Sequence, residues 1–164
     1  MGNNLPSPFE SSPEHPAWPF VGRVTQLKAV RQLVARARAG TGAVALIDAE
    51  PGIGKSRFLR EVCARENKST VTIALVCAAG TAGEGSPLRD QLGAALHGRD
   101  LAAVARQHPV LCTIDDVHNA TTEDRTIVGM LERTAAAHRV VVLASCASEW
   151  SGVGSSTPEW LGAW

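Results

Sequence analysis

Apolar residues recur along this chain with two different periods. Between Arg23 and Ala39 the spacing is helical, and Gly40 ends it. The apolar side of this helix holds Val24, Leu27, Val30, Leu33 and Val34. Basic side chains fill much of the remaining surface, which we interpret as a solvated helix face rather than a nucleic-acid site.

Elsewhere the apolar residues form short uninterrupted runs, which predict strands covered on both faces. Four such strands are predicted, at residues 43–48, 71–77, 110–115 and 139–145. Helices are predicted between them, at residues 55–65, 87–96, 101–106 and 122–137. Pro87 suits a first helical turn, and either Thr121 or Thr122 can cap the last helix.

Strands that alternate with helices predict an α/β fold, in which helices cover both faces of a parallel sheet as three α/β/α layers. No fifth strand is visible after the fourth, so we expect an incomplete sheet of four strands. We divide the chain into a disordered Pro/Ser-rich leader (1–19), one folded domain (20–147) and an irregular Gly/Ser/Trp tail (148–164).

Composition narrows the classes of partner. The 164 residues include 16 basic and 16 acidic side chains, so net charge gives no general attraction to nucleic acid or to an anionic membrane. No apolar run approaches the roughly 20 residues of a membrane helix, and the first residues do not resemble a secretory signal. We therefore expect a cytoplasmic protein without a membrane partner and without DNA binding by this chain alone.

The four cysteines do not have the spacing of a zinc site or of a disulfide framework. Cys77, Cys112 and Cys146 each lie in or at the end of an apolar run. We interpret these three as small core residues with free thiols.

A glycine-rich segment carries the strongest chemical signal. Ala49-Glu-Pro-Gly-Ile-Gly-Lys-Ser56 follows the first predicted strand and opens a helix, and it matches the P-loop pattern with alanine in place of the first glycine. Gly52 and Gly54 let backbone N–H groups approach phosphates closely. Lys55 supplies a positive charge to the β- and γ-phosphates. The helix N-terminus favours the same anions. The pattern predicts nucleotide binding by Gly52, Ile53, Gly54, Lys55, Ser56 and Arg57, and it leaves open whether ATP or GTP is preferred.

Two acidic residues end the third predicted strand. In a parallel sheet, Asp115 and Asp116 would lie at the same edge as the glycine-rich segment, because ligands bind outside the carboxyl ends of the strands. We expect Asp115 and the Ser56 hydroxyl to hold Mg²⁺, and Asp116 to act as general base. Lys55 and Asp116 are thus the candidate catalytic residues. We interpret His118 as a loop residue without a chemical role, because the sequence shows no second partner for it.

These motifs together resemble a known family. Phe20-Val-Gly-Arg23, an amphipathic helix, the P-loop and Ile114-Asp-Asp-Val-His118 occur in the order found in AAA-type, Orc/Cdc6-like ATPase domains. More narrowly, they resemble the STAND ATPases at the N-terminus of large LuxR-type transcriptional regulators. The resemblance implies that Val21, Gly22 and Arg23 lie near the adenine. By this resemblance, the chain corresponds to the N-terminal part of such a regulator, without the lid and the DNA-binding domain.

The chain departs from that family at the end of the fourth strand. The family usually has a Thr-x-Arg sensor there, and Ser145, Cys146 and Ala147 occupy those positions. A missing arginine costs charge stabilisation on the γ-phosphate. The sequence leaves open whether Ser145 contacts that phosphate or only ends the strand.

Two functions remain open from the sequence. The first is an ATP-binding P-loop module that is at most a slow Mg²⁺-dependent ATPase. The second is a degenerate interaction domain that does not use nucleotide. In that case the edge of the incomplete sheet would serve self-association or a partner.

Overall fold

The computed structural model describes residues 22–79 and 87–147, together with the backbone of Glu159–Trp160. The predicted leader, residues 80–86 of the predicted loop, and the remainder of the predicted tail lie outside these described residues. Val21 lies outside them as well.

The elements alternate along the chain as the sequence predicts. The helices are α1 Val24–Arg38, α2 Lys55–Glu66, α3 Pro87–Leu96, α4 Leu101–Gln107 and α5 Thr122–Ala137. The strands are β1 Ala43–Asp48, β2 Val71–Val76, β3 Val110–Asp115, β4 Val140–Cys146 and β5 Glu159–Trp160. A short 3-10 helix, Val117–Asn119, links β3 to α5. Predicted and observed boundaries of the helices and of the four long strands differ by no more than one residue.

All strands run parallel in a single sheet, in the order β2-β3-β4-β1-β5. The predicted α/β class with a parallel sheet is confirmed. The expectation of only four strands is wrong, because Glu159 and Trp160 pair with Ala45 and Leu46 of β1. Two residues among Gly, Ser and Pro form no apolar run, so periodicity could not reveal this strand.

The register aligns the carboxyl ends of the central strands. Asp48 at the end of β1 is level with Cys146 at the end of β4, and Asp115 at the end of β3 is level with Val76 of β2. Three connections therefore leave the sheet at the same edge. They are the segment after β1, the segment after β3 and the chain after β4.

Apolar side chains fill both sides of the sheet. On one side, α1 and α2 pack through residues such as Val30, Val34, Phe58 and Val62. On the other side, α3, α4 and α5 form the larger cluster. Strands β3 and β4 are buried along their whole length, which explains their uninterrupted apolar sequences.

Helix α5 begins with a reciprocal cap. Thr121, one of the two predicted candidates, accepts a hydrogen bond from the backbone of Asp124, and the Asp124 carboxylate accepts one from the backbone of Thr121. The same carboxylate accepts a hydrogen bond from the Leu88 backbone at 3.0 Å, so it also anchors the start of α3. In the described parts of the chain, no helix has the length and apolar character needed to cross a membrane.

Candidate functional site

The turn from β1 into α2, residues 49–56, forms a glycine loop. Gly52 (φ 81°) and Gly54 (φ 95°) both have left-handed backbone, which a side chain would strain. Apart from the glycine itself and its two chain neighbours, no described residue has an atom within 4 Å of the position that a Cβ would take at either glycine. The loop is therefore shaped by backbone conformation, and described residues do not crowd these two glycines on the side where a Cβ would point.

Lys55 is the first residue of α2 and is only 7% exposed. Its Nζ donates hydrogen bonds to the carbonyl oxygens of Ala49 at 2.6 Å and Glu50 at 2.9 Å. A buried ammonium group requires such acceptors, because desolvation without them is costly. The amine is thus held at the glycine loop by the entrance of that loop.

Alanine fits the loop entrance because its backbone is not strained there. Ala49 is absent from the described non-glycine residues with positive φ, which are Arg23, His97 and Asp116. Its N–H donates to the Cys146 carbonyl at 3.4 Å, which joins the loop entrance to the end of β4. The methyl group therefore does not prevent the glycine-loop conformation.

A serine links the two acidic residues. Asp115 is only 6% exposed, and its Oδ1 accepts a hydrogen bond of 2.5 Å from the Ser145 hydroxyl. The same hydroxyl oxygen accepts a hydrogen bond of 2.9 Å from the Asp116 N–H. Asp116 is half-buried with left-handed backbone (φ 55°, ψ 46°). Ser145 therefore fixes both the carboxylate of one aspartate and the backbone of the next.

Strand order explains why Ser145 has this position. Strand β4 lies between β3, which carries Asp115, and β1, which leads to the glycine loop. Ser145 pairs with Ile47, one residue before the end of β1. The sequence left the role of Ser145 open, because a residue's neighbours across a sheet follow from strand order and register.

Arg23 contacts the glycine loop from the start of α1. Gly22 (φ 88°) and Arg23 (φ 60°) both have left-handed backbone just before the helix. The Arg23 guanidinium donates a hydrogen bond of 2.9 Å to the Ile53 carbonyl oxygen. Arg57 is exposed in the first turn of α2. The structure thus brings Arg23 to the loop residues that the sequence singles out.

His118 has a partner that the sequence did not reveal. Its Nδ1 accepts a hydrogen bond of 3.2 Å from the Ala147 N–H. The imidazole therefore connects the 3-10 helix after β3 to the chain after β4. This contact gives His118 a structural role beside the acidic pair.

The cysteines near this edge of the sheet remain thiols. All four cysteines are free; Cys77, Cys112 and Cys146 are buried, as predicted, and Cys63 is partly exposed. Burial raises the pKa of Cys146 to about 11, the Asp48 carboxylate adds to the shift, and Lys55 opposes it. Burial likewise raises the pKa of Cys77 to about 12, with smaller contributions from Asp124, Asp116 and Asp115. Neither side chain is an activated nucleophile at neutral pH.

The sequence matches a family model that decides the classification. The model describes an AAA ATPase domain, and it matches residues 19–103, about half of the chain. This chain belongs to the AAA ATPase domain family. The matched segment of the AAA domain contains α1 and the complete glycine loop, while Asp115, Asp116 and Ser145 follow it.

The chain is similar to several solved structures. Cdc6p from Pyrobaculum aerophilum superimposes with a TM-score of 0.55 at 17% identity, over 80% of this chain and 41% of that one. A mutant of RuvB from Thermotoga maritima gives 0.47 at 15% identity, over 84% of this chain and 42% of that one. PCH-2 from C. elegans gives 0.46 at 13% identity, over 81% and 42%.

The AAA domain described here thus spans about two fifths of the length of these solved chains. At these identities, the likeness to Cdc6p shows a common fold. No curated protein sequence matches the chain.

Proposed function

We propose that this AAA domain binds ATP or ADP at the glycine loop together with Mg²⁺. The observation that carries the proposal is the loop itself, in which left-handed backbone at Gly52 and Gly54 leads directly into the N-terminus of α2. A helix start of this kind presents backbone N–H groups and partial positive charge to an anion. Lys55 adds a full charge that is already held at the loop.

The donors around the loop suit a triphosphate. We assign the phosphates to the backbone of Gly52, Ile53 and Gly54, with Lys55 reaching the terminal phosphates. Arg57, exposed in the same helical turn, is the additional cation. Binding would draw Lys55 from the Ala49 and Glu50 carbonyls toward the phosphates.

The metal partners in this proposal are the Ser56 hydroxyl and the Asp115 carboxylate. Mg²⁺ commonly takes one or two protein ligands and completes its shell with water and phosphate oxygens. The bound metal would supply charge neutralisation to the phosphates.

The base-binding segment in this proposal is Val21, Gly22 and Arg23. Its support is the Arg23 hydrogen bond to Ile53, which connects this segment to the glycine loop. Gly22 contributes a left-handed bend before α1. A nucleotide bound at the glycine loop would therefore act directly on the start of α1 through this hydrogen bond.

We propose that hydrolysis is slow. Asp116 is the general base, and its backbone is fixed through Ser145. The end of β4 provides Ser145, Cys146 and Ala147 but no arginine to stabilise charge on the γ-phosphate. A domain that holds nucleotide and turns it over slowly fits a nucleotide-dependent switch, as in the STAND and LuxR-type regulators that the motifs resemble.

A thermal shift assay tests nucleotide binding. ATP with Mg²⁺ at 100 times the dissociation constant should stabilise the fold by about 2.7 kcal/mol, which raises the melting temperature. Lys55→Ala should abolish the rise. Arg133→Ala, which removes an exposed cation of α5 on the opposite helix layer, should retain it. Unchanged melting of the wild-type chain with nucleotide would reject the proposal.

A further inference from the structure

The two helix layers of this neutral chain differ in net charge. Helix α1 contains no acidic residue and exposes Lys28, Arg31, Arg36 and Arg38. Helix α2 and the turn after it expose Arg57, Arg60, Arg65 and Lys68. We call these eight side chains the basic face.

Acidic residues offset little of this charge. The same layer contains two carboxylates, on Glu61 and Glu66. Glu61 pairs with Arg65 at 2.6 Å, and the buried Glu66 pairs with Arg38 at 3.0 Å. The eight cations of the basic face against these two carboxylates leave a net charge of +6, without counting the buried Lys55. The opposite layer, α3 to α5 with the turn 97–100, carries five of each sign.

The two rows of positive charge lie side by side. At one end, Arg23 before α1 contacts Ile53 before α2, and at the other end Arg38 of α1 contacts Glu66 of α2. The two helices therefore run in the same direction, with their N-terminal ends at the glycine loop. A shallow cleft between them has Arg31 on one wall and Arg65 on the other.

We propose that the basic face binds the phosphodiester backbone of duplex nucleic acid. Six of its eight cations are arginines, whose planar guanidinium groups match phosphate oxygens. Backbone contacts of this kind need charge and spacing but no base recognition. The sequence led us to expect no DNA binding by this chain alone, from zero net charge and the lack of the family's DNA-binding domain. Net charge does not show how charges are distributed between the two helix layers.

Other polyanions fit this surface less well. Phe58 is the one Phe, Tyr or Trp whose side chain the structure describes, and it is buried, so this part of the chain offers no platform for unstacked bases. Within the same part of the chain, the exposed large apolar side chains are Val24, at the start of α1, and Ile53, in the glycine loop. The described basic face thus has little apolar surface to insert into a membrane.

Fluorescence anisotropy tests the proposal. The probe is a labelled DNA duplex of about 20 base pairs, in about 50 mM KCl and without nucleotide. We expect a dissociation constant of about 10⁻⁴ to 10⁻⁶ M at physiological salt, and markedly tighter binding at about 50 mM KCl. The double variant Arg31→Gln/Lys68→Gln should bind about tenfold more weakly. The slope of the logarithm of its binding constant against the logarithm of salt concentration should become shallower by about 0.9 for each cation removed. The matched variant Arg106→Gln/Arg133→Gln on the opposite layer should bind like the wild type.

Several outcomes would overturn the proposal. These are absence of binding at about 50 mM KCl or below, salt-independent binding, or equal weakening by the two double variants. Binding to vesicles with about 30% phosphatidylserine, without binding to the duplex, would assign the surface to membranes instead. The variant Lys55→Ala distinguishes this proposal from nucleotide binding. If the variant still binds the duplex, the result supports the basic face. If it no longer binds the duplex, the duplex phosphates bind at the glycine loop and the proposal fails.

Discussion

At the scale of single residues, Ser145 joins the acidic pair. Its hydroxyl donates to the Asp115 carboxylate and accepts from the Asp116 N–H, and the side chain is fully buried. Ser145→Ala should lower the free energy of unfolding by about 1–3 kcal/mol, because both partners lose a buried hydrogen bond. Urea unfolding measures this loss.

Ser145→Thr is the control for that substitution, since it keeps the hydroxyl group. It should retain more stability than the alanine variant, even though its extra methyl group must be accommodated in a packed strand. Equal stability of Ser145→Ala and the wild type would contradict the hydrogen-bonding role assigned to this side chain.

The buried thiols make the free energy of unfolding depend on pH in the alkaline range. The pKa of Cys146 is raised from 9.0 to about 11, so the folded chain holds this proton more tightly than the unfolded chain. The stabilisation is complete below about pH 9 and is lost as the pH rises toward about 11. Over that interval, one such thiol contributes a loss of about 1.4 kcal/mol per pH unit.

Cys146→Ala tests this contribution. Its free energy of unfolding, measured in urea at about pH 8, 9 and 10, should fall less steeply with pH than that of the wild type. Parallel curves for the two proteins would show that the Cys146 proton is not held more tightly in the folded chain.

At the scale of elements, the N-terminus of α5 depends on its cap. Thr121→Ala removes the side-chain oxygen that accepts from the Asp124 backbone. The change should cost about 1 kcal/mol of stability, which is typical of a lost threonine cap. Thr122→Ala, at the adjacent exposed position, is the matched control and should cost less. Equal losses at both positions would contradict the capping assignment.

Sequence patterns predicted the long elements because their physical causes are local. Strands β1 to β4 are continuous apolar runs, and the helix α1 follows a clear period that Gly40 ends. Strand β5 escaped prediction because its two residues are held by pairing with β1 rather than by their own composition. The predicted boundaries of helices and strands lie close to the observed ones, because glycine, proline and capping residues mark the ends of these elements.

The parts of the candidate site that consist of consecutive residues were predictable from the sequence. The glycine loop and the acidic pair each occupy one short segment, and a parallel sheet places both at its carboxyl edge. The contacts of Ser145 with Asp115, and of His118 with Ala147, join residues about 30 positions apart. Such contacts depend on strand order, which the sequence did not specify.

At the scale of the whole molecule, the fold combines a neutral composition with two unlike faces. One helix layer is strongly basic, and the other has balanced charge. The glycine loop leads directly into α2, the second helix of the basic layer, which starts at Lys55. A bound nucleotide would therefore lie next to Arg23 and to the N-terminal end of the basic face.

Equilibrium dialysis against radiolabelled ATP with Mg²⁺ tests the central claim most directly. We predict one ATP bound per chain for the wild type and for Arg133→Ala, and none for Lys55→Ala at the same ligand concentration. Absence of ATP from the folded wild-type chain, or undiminished binding by Lys55→Ala, would contradict nucleotide binding at the glycine loop.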